Sequence, residues 1–109
     1  MRTTSKFKNK PVEVDGVWFP SIKQAKRHQE LKMLERAGII HDLKREVWFD
    51  LIVNGVKICR YRADHTYRDL QDTLIVEDTK GMRKGVAYQL FQMKSRLMLA
   101  CLHIRVLET

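Results

Sequence analysis

Two long β-prone runs on either side of Asn54 and Gly55 constrain the fold of this chain more than any other feature. An Asn-Gly pair between such runs is a strong signal for a tight hairpin, because both residues tolerate the positive φ angles that the turn requires. The two strands are predicted over residues 46–53 and 56–67. A third strand, over residues 74–79, follows a turn at residues 69–72 and is apolar on both faces at its start, as a strand covered by helices would be. The sequence therefore predicts a three-stranded meander.

Helices are predicted on both sides of this meander. Ser21 is the expected N-cap of a first helix over residues 22–37, with Gln24 closing a capping box and Gly38 ending the helix. Apolar residues recur at helical spacing over residues 86–102, which predicts a second helix, and residues 104–107 predict a short closing strand. Asp15 and Gly16 separate two short β-prone segments, so we also expect an N-terminal β-hairpin.

The predicted fold class is α/β (α+β), with the element order αβββαβ after the N-terminal hairpin. The last strand returns through a helical crossover, so it should lie parallel to a neighbour in a mixed sheet flanked by two helices. A chain of 109 residues has room for one compact domain. We assign residues 1–10 to a basic flexible arm and residues 11–109 to a single domain.

The charge balance favours a polyanionic partner. Lysine and arginine number 21 against 13 acidic residues, which gives a formal net charge of +8. Nucleic acid is the first candidate, although an inert basic surface has the same composition. Cys59 and Cys101 lack metal-ligand spacing and are expected to be buried free thiols. Because no apolar membrane span or signal peptide is evident, the predicted location is the cytoplasm, with no membrane partner.

The second and third strands carry the candidate chemistry. Asp78 and Lys80 are two residues apart, so in an extended strand they project from one face, while Glu77 projects from the other. Asp64, across the hairpin, can reach the face of Asp78. Two carboxylates a few ångströms apart suit Mg²⁺ or Mn²⁺, and an adjacent lysine can orient a water or stabilise charge on a phosphate. The sequence therefore indicates phosphodiester hydrolysis.

Each of these residues also has a simpler interpretation. An Asp-x-Lys on a strand is often a solvated charge pair, and Asp64 can cap a turn. Zinc is not indicated, because the histidines show no ligand spacing. They are interpreted as structural or DNA-contacting residues. Trp18 and Trp48 are interpreted as core or interface anchors rather than base-stacking platforms. On the second helix, the candidate phosphate contacts are Tyr88, Gln89 and Lys94, which alternatively form part of a solvated helix face.

Four short motifs carry a resemblance to a known family. They are V-E-V-D-G at residues 12–16, F-x-S at 19–21, Y-R-A-D at 61–64 and V-E-D-T-K-G at 76–81. With these motifs the chain resembles the PD-(D/E)XK nuclease superfamily, and within it a family of small phage-borne endonuclease-like proteins. The resemblance implies a restriction-endonuclease-like core and a metal-dependent DNA endonuclease, with Asp64 and Asp78 as metal ligands and Lys80 beside the attacking water.

The chain departs from the family pattern at Gln24, where the pattern has a glutamate early in the first helix. An amide oxygen can ligate a metal or orient water, so Gln24 stays a candidate catalytic residue, but its lack of charge predicts weaker metal binding. Alternatively, Gln24 only completes the capping box. A bulge in the third strand would place Glu77, rather than Asp78, on the active face.

The expected substrate is branched or otherwise structured DNA, such as a Holliday junction, because so small a chain has little surface for reading base sequence. The expected setting is phage DNA recombination, replication or packaging. By analogy we expect a homodimer that addresses two strands. The alternative is a non-catalytic nucleic-acid-binding protein on a nuclease-like fold, with Gln24 marking the loss of activity.

Overall fold

The computed structural model describes residues 10–109, so the predicted basic arm over residues 1–10 lies outside the described residues except for Lys10. Turns and caps divide the described chain into six strands and two helices. In chain order the elements are β1 (Val12–Val14), β2 (Val17–Phe19), α1 (Ile22–Arg36), β3 (His41–Val53), β4 (Val56–Arg68), β5 (Leu74–Asp78), α2 (Val86–Leu102) and β6 (Leu107–Glu108). The predicted order of a hairpin, a helix, three strands, a helix and a strand is confirmed.

Helix α1 begins and ends where its capping residues predict. The Ser21 Oγ accepts a hydrogen bond from the Gln24 backbone N–H at 3.2 Å, which satisfies one of the free donors of the first turn. Ala37 is the C-cap, one residue before the predicted stop, and Gly38 follows with a φ of +77°. Glycine adopts this left-handed conformation at little cost, so the chain can leave the helix sharply.

The last four strands form one mixed sheet in the order β3-β4-β5-β6. Strands β1 and β2 form a separate antiparallel ribbon. Strands β3, β4 and β5 are antiparallel neighbours. Strand β6 returns after α2 and pairs parallel to β5, with Glu77 opposite Leu107 and Asp78 opposite Glu108. The predicted helical crossover to a parallel strand is thus confirmed.

Two predicted strand boundaries are wrong. Strand β3 begins at His41 rather than at Glu46, because the long β4 supplies pairing partners for this polar segment. The segment includes a register shift between His41 and Lys44, and polar strands carry no alternating apolar signal. Strand β6 covers only Leu107–Glu108, because Ile104 and Val106 pack in the core instead of extending the ladder.

Each face of the sheet is covered by one helix. On one face, Tyr61 and Val76 of the sheet pack against Phe91 and Met98 of α2. On the other face, Tyr67 packs with Leu31 of α1, alongside Ile75 of β5. Strand β5 contributes side chains to both cores in alternation, which confirms its predicted central position. The end of β5 therefore lies between two packed layers, and this end carries Asp78.

Within residues 10–109, no helix is long and apolar enough to cross a membrane. The two cysteines are free thiols, and both are half-buried rather than fully buried.

Candidate active site

Two carboxylates meet at the adjoining ends of β4 and β5. The ladder pairs His65 with Glu77, so the preceding residue of β4, Asp64, lies opposite Asp78. Asp78 is only 5% exposed. The Thr79 backbone N–H donates a 2.8 Å hydrogen bond to Asp64 Oδ2, which holds Asp64 against the chain that follows Asp78. The structure thus brings together the two predicted metal ligands.

Lys80 completes this group from the same side as Asp78. Its Nζ lies 3.4 Å from Asp78 Oδ1 and 4.0 Å from the centre of the Phe91 ring of α2. The Lys80 backbone N–H donates to the Thr109 carbonyl at 3.2 Å, beyond the end of β6. The ion pair and the cation–π contact keep the ammonium at one place, and the backbone bond fixes the segment that carries it.

Tyr61 is a site residue that the sequence alone did not reveal. Its hydroxyl donates a 2.6 Å hydrogen bond to Asp78 Oδ2, so Lys80 and Tyr61 contact different oxygens of one carboxylate. Burial, followed by the charge of Asp78, raises the pKa of Tyr61 well above its ordinary value. The phenol therefore stays protonated and can act only as the donor. Its place in the Y-R-A-D motif is the one sequence signal that points to it.

The surroundings of Asp64 favour its protonated form. Burial and the proximity of Asp78 raise the pKa of Asp64 to about 7, against the lowering effect of the Thr79 N–H and of Lys80. Such a shift means that a second negative charge at this place is unfavourable without a further cation. Buried carboxyl groups whose pKa is shifted by a neighbouring charge are typical of functional sites.

Glu77 does not face this site. Arg27 of α1 binds it in a two-pronged ion pair, with Nε 2.7 Å from Oε1 and Nη2 2.9 Å from Oε2. The Tyr67 hydroxyl donates a further 2.7 Å hydrogen bond to Oε2. Since these partners lie on the α1 side of the sheet, Glu77 and Asp78 point to opposite faces, as a regular strand predicts. The bulge that would exchange them is absent from β5.

Gln24 is buried, with 6% of its surface exposed, and its backbone N–H is the group that donates to the N-cap Ser21. Within residues 10–109, its side chain makes no hydrogen bond with Asp64, Asp78 or Lys80. Its neighbour Lys23 does reach the site, and its Nζ donates to the Lys80 carbonyl oxygen. The first turn of α1 therefore approaches the site, through a lysine that the sequence did not single out.

The histidines and tryptophans are placed by the fold as follows. The His28 Nδ1 and the His65 Nε2 lie 3.0 Å apart between α1 and β4, away from the carboxylate pair. Trp18 and Trp48 are 64% and 50% exposed, so the interpretation of either as a core residue is wrong.

Comparison with protein families assigns the chain to one family. The family described as "Protein of unknown function (DUF1064)" matches residues 4–105, which is nearly the whole chain. The chain belongs to the DUF1064 family. Asp64, Asp78 and Lys80 all lie inside the segment that matches DUF1064. No match was found among curated proteins or among solved structures.

A cavity opens beside Asp78 of this DUF1064 protein. It has a volume of about 420 Å³, and Asp78 and Lys80 form part of its wall. The other lining residues are Trp48, Tyr61, Arg62, Ala87, Leu90, Phe91 and Lys94. A larger cavity of about 600 Å³ lies between the N-terminal ribbon and α1, away from Asp78 and Lys80. The smaller cavity is the candidate site, because it is lined by the buried Asp78 and by Lys80, whose Nζ lies 3.4 Å from Asp78 Oδ1.

The donor set of Asp64 and Asp78 fits a hard divalent cation that keeps most of its own water. Within residues 10–109, no group of three or more His, Cys, Asp or Glu side chains could hold a metal ion. Two carboxylates agree with Mg²⁺, which often takes one or two protein carboxylates and fills its other positions with water and phosphate oxygens. Lys80 neutralises part of the charge on Asp78. We therefore expect weak metal binding in the absence of a phosphate.

Proposed function

We propose that this protein is a Mg²⁺- or Mn²⁺-dependent DNA endonuclease that hydrolyses phosphodiester bonds in branched or otherwise structured DNA. Four-way Holliday junctions and flaps are the expected substrates, and phage-type DNA recombination, replication or packaging is the expected setting. The observation that carries the proposal is the arrangement of Asp64 opposite Asp78 with the Lys80 Nζ 3.4 Å from Asp78 Oδ1.

The charges around this arrangement also support a phosphate substrate. The side chains of Lys80, Arg62 and Lys94 line one cavity with Asp78. Among the lining residues that the structure describes, Asp78 is the only acidic one. Phosphate contacts from lysine and arginine supply most of the affinity of DNA-binding proteins, independently of base sequence. The formal charge of +8 extends this attraction over the whole chain.

Each residue has a defined task in the proposed hydrolysis. A divalent cation, when bound, would supply Lewis acidity that lowers the pKa of a water and offsets charge on the phosphate. Asp64 and Asp78 would hold that cation. Tyr61 fixes the orientation of Asp78, and Lys80 orients the attacking water or stabilises charge that develops on the phosphate. The water oxygen bonds to phosphorus and the water gives up one proton, while one phosphorus–oxygen ester bond breaks and the leaving oxygen takes up a proton, so that one water is consumed for each bond broken.

A cleavage panel tests the proposal. A four-way junction, a flap, a nicked duplex and single-stranded DNA are incubated with wild type, Asp78→Asn and Lys80→Met in Mg²⁺, Mn²⁺ or EDTA. Asn keeps an acceptor for Tyr61, and Met keeps the length of the lysine side chain over Phe91, so both variants should fold. Metal-dependent cleavage by wild type and losses of at least about 100-fold in both variants are expected, as for the loss of a group that acts in the transition state.

Asp42→Asn is the matched control, because it removes an exposed carboxylate from β3 that pairs with Lys44. It should cut at the wild-type rate. Cleavage that continues unchanged in both site variants, or that continues in EDTA, would contradict the assignment.

The second candidate function is nucleic-acid binding without catalysis, and the uncharged Gln24 at a helix start near the site favours it. If the protein is a binding protein without catalytic activity, wild type should bind branched DNA and should cleave none of the four DNA substrates with either metal. Gln24→Glu then shows whether a missing carboxylate is the cause. Cleavage gained by this variant would identify an inactivated nuclease, while continued binding alone would support a dedicated binding protein.

The proposed enzyme would act as a homodimer, so that two sites address the two strands of a branched substrate. Sedimentation equilibrium with and without a four-way junction measures the number of chains. A monomer in both conditions would contradict this part of the proposal.

A further inference from the structure

An exposed aromatic side chain lies on β3 near the candidate active site. Trp48 is 50% exposed although it belongs to a central stretch of a long strand. The Arg60 guanidinium carbon lies 3.9 Å from the centre of its ring, and that of Arg62 lies 5.6 Å from it. Arginine over a tryptophan ring is a favourable cation–π contact, and it holds the ring in one orientation. Trp48 is thus an aromatic surface held in one orientation, with a guanidinium over its ring and half of its surface exposed.

This surface belongs to the same cavity as the proposed catalytic residues. Trp48 and Arg62 lie on the wall that β3 and β4 provide, and Lys94 lies on the wall that α2 provides. Asp78 and Lys80 line the same space. Its volume of about 420 Å³ falls within the range of sites that enclose a small ligand. A nucleotide whose phosphate approaches Lys80 can therefore place its base against Trp48.

Charge distinguishes a nucleic acid from a protein as the partner of Trp48. Lys94 would remain inside a protein contact as a buried cation, whereas lysine is depleted in protein interfaces. Two acidic residues lie close by on β3, and both are already in exposed ion pairs, Glu46 with Arg62 and Asp50 with Lys57. An aromatic ring among cations is the arrangement with which proteins bind single-stranded nucleic acid.

We propose that Trp48 is the stacking platform for an unpaired base next to the phosphodiester bond that is cleaved. The inference rests on the proposed nuclease function and narrows its substrate class. A base within a duplex has both faces covered by its neighbours, so only an unpaired or displaced base can stack on Trp48. The substrate is therefore DNA with an unpaired nucleotide at the cleavage point, as in a flap, a gap or an opened junction, rather than continuous duplex.

Tryptophan fluorescence tests the contact directly, because the chain has only two tryptophans. In a Trp18→Phe background, Trp48 is the only source of signal. Single-stranded oligodeoxythymidylate in EDTA should quench this signal, and fully paired duplex of the same length should quench it far less. In a Trp48→Phe background, Trp18 should show no quenching, since it is 64% exposed but does not line the cavity.

Measurements of DNA affinity compare variants of the same two residues, Trp48 and Trp18. Trp48→Ala should lose about tenfold in affinity for single-stranded DNA and for flaps, since stacking on an aromatic side chain contributes about this much per base. Trp18→Ala is the matched control, and it should bind as wild type does. Trp48→Phe keeps an aromatic face and should recover part of the lost affinity. Thermal unfolding of each variant verifies that the fold is intact.

The outcomes separate this inference from the proposed function. If Trp48→Ala binds and cuts flaps as wild type does, while Asp78→Asn is inactive, the stacking platform is refuted and the nuclease stands. If single-stranded DNA quenches Trp48 but no substrate is cut with Mg²⁺ or Mn²⁺, the platform stands and the nuclease is refuted. If Trp48→Ala converts a dimer into a monomer without a change in DNA affinity, Trp48 is a contact between copies and the inference is overturned.

Discussion

Asp64→Asn should stabilise the metal-free protein at alkaline pH. In the folded protein, burial and then Asp78 raise the pKa of Asp64 from 3.8 to about 7. Asparagine resembles the protonated acid: its amide oxygen can still accept the Thr79 N–H, and its amide nitrogen can donate to Asp78. The substitution therefore removes the cost of ionising Asp64 beside Asp78 and keeps the geometry.

The sign and the size of the effect follow from linkage. Because the folded-state pKa is raised, the favourable contribution of Asp64 is fully present below about pH 4, falls as the pH rises, and is lost above about pH 7. Three pKa units correspond to at most about 4 kcal/mol. Solvent that reaches the exposed part of the side chain screens some of this cost, so we expect a gain of about 2 kcal/mol at pH 8. For a domain of this size that gain is a rise in Tm of about 10 °C.

Urea unfolding of wild type and Asp64→Asn in EDTA, at pH 4 and at pH 8, measures the difference. The variant should be more stable at pH 8 and close to wild type at pH 4. Asp42→Asn controls for the loss of a negative charge, which should slightly destabilise a protein of net charge +8. With 10 mM Mg²⁺ only wild type should gain stability, since binding to the folded state alone is stabilising. A stability gap of the same size at both pH values, or a variant less stable at pH 8, would refute the reasoning.

Two further substitutions test the partners of β5. Tyr61→Phe removes the 2.6 Å hydrogen bond to Asp78 and should cost about 2 kcal/mol in urea unfolding. In single-turnover assays the same variant should lower the cleavage rate about tenfold and leave DNA affinity unchanged; unchanged cleavage would show that Tyr61 does not position Asp78. Glu77→Gln leaves Arg27 without its buried counterion and should cost about 3 kcal/mol, with the metal dependence of cleavage unaffected. A change in metal requirement would contradict the placement of Glu77 away from the site.

The sequence predicted the elements whose causes are local. Ser21 and Gly38 bound a helix because they satisfy or release backbone groups within one turn. Asp15 and Asn54 both adopt positive φ, as the turns before Gly16 and Gly55 require. The start of β3 was not predicted correctly, because its polar first residues form a strand only when β4 pairs with them.

The candidate site was predictable in the part that depends on strand alternation. Asp78 and Lys80 lie two residues apart, so the strand predicted over residues 74–79 directs both toward one face. In the structure β5 ends at Asp78, and the Lys80 Nζ still lies 3.4 Å from Asp78 Oδ1. Predicting that Asp64 lies near Asp78 required one further assumption, namely that β4 and β5 form a hairpin. The observed antiparallel register of these two strands supports that assumption. Gln24 was selected by its position in a motif, and the structure does not give its side chain a hydrogen bond to these three residues within residues 10–109.

The sequence by itself determined the element order and the turn positions, because each depends on backbone preferences over a few residues. Only the tertiary structure decided that Tyr61 holds Asp78, that Lys23 donates to the carbonyl of Lys80, and that Trp48 lies exposed beside them. These contacts join residues far apart in the chain, and they depend on how α1, α2 and the sheet pack. No local preference encodes that packing.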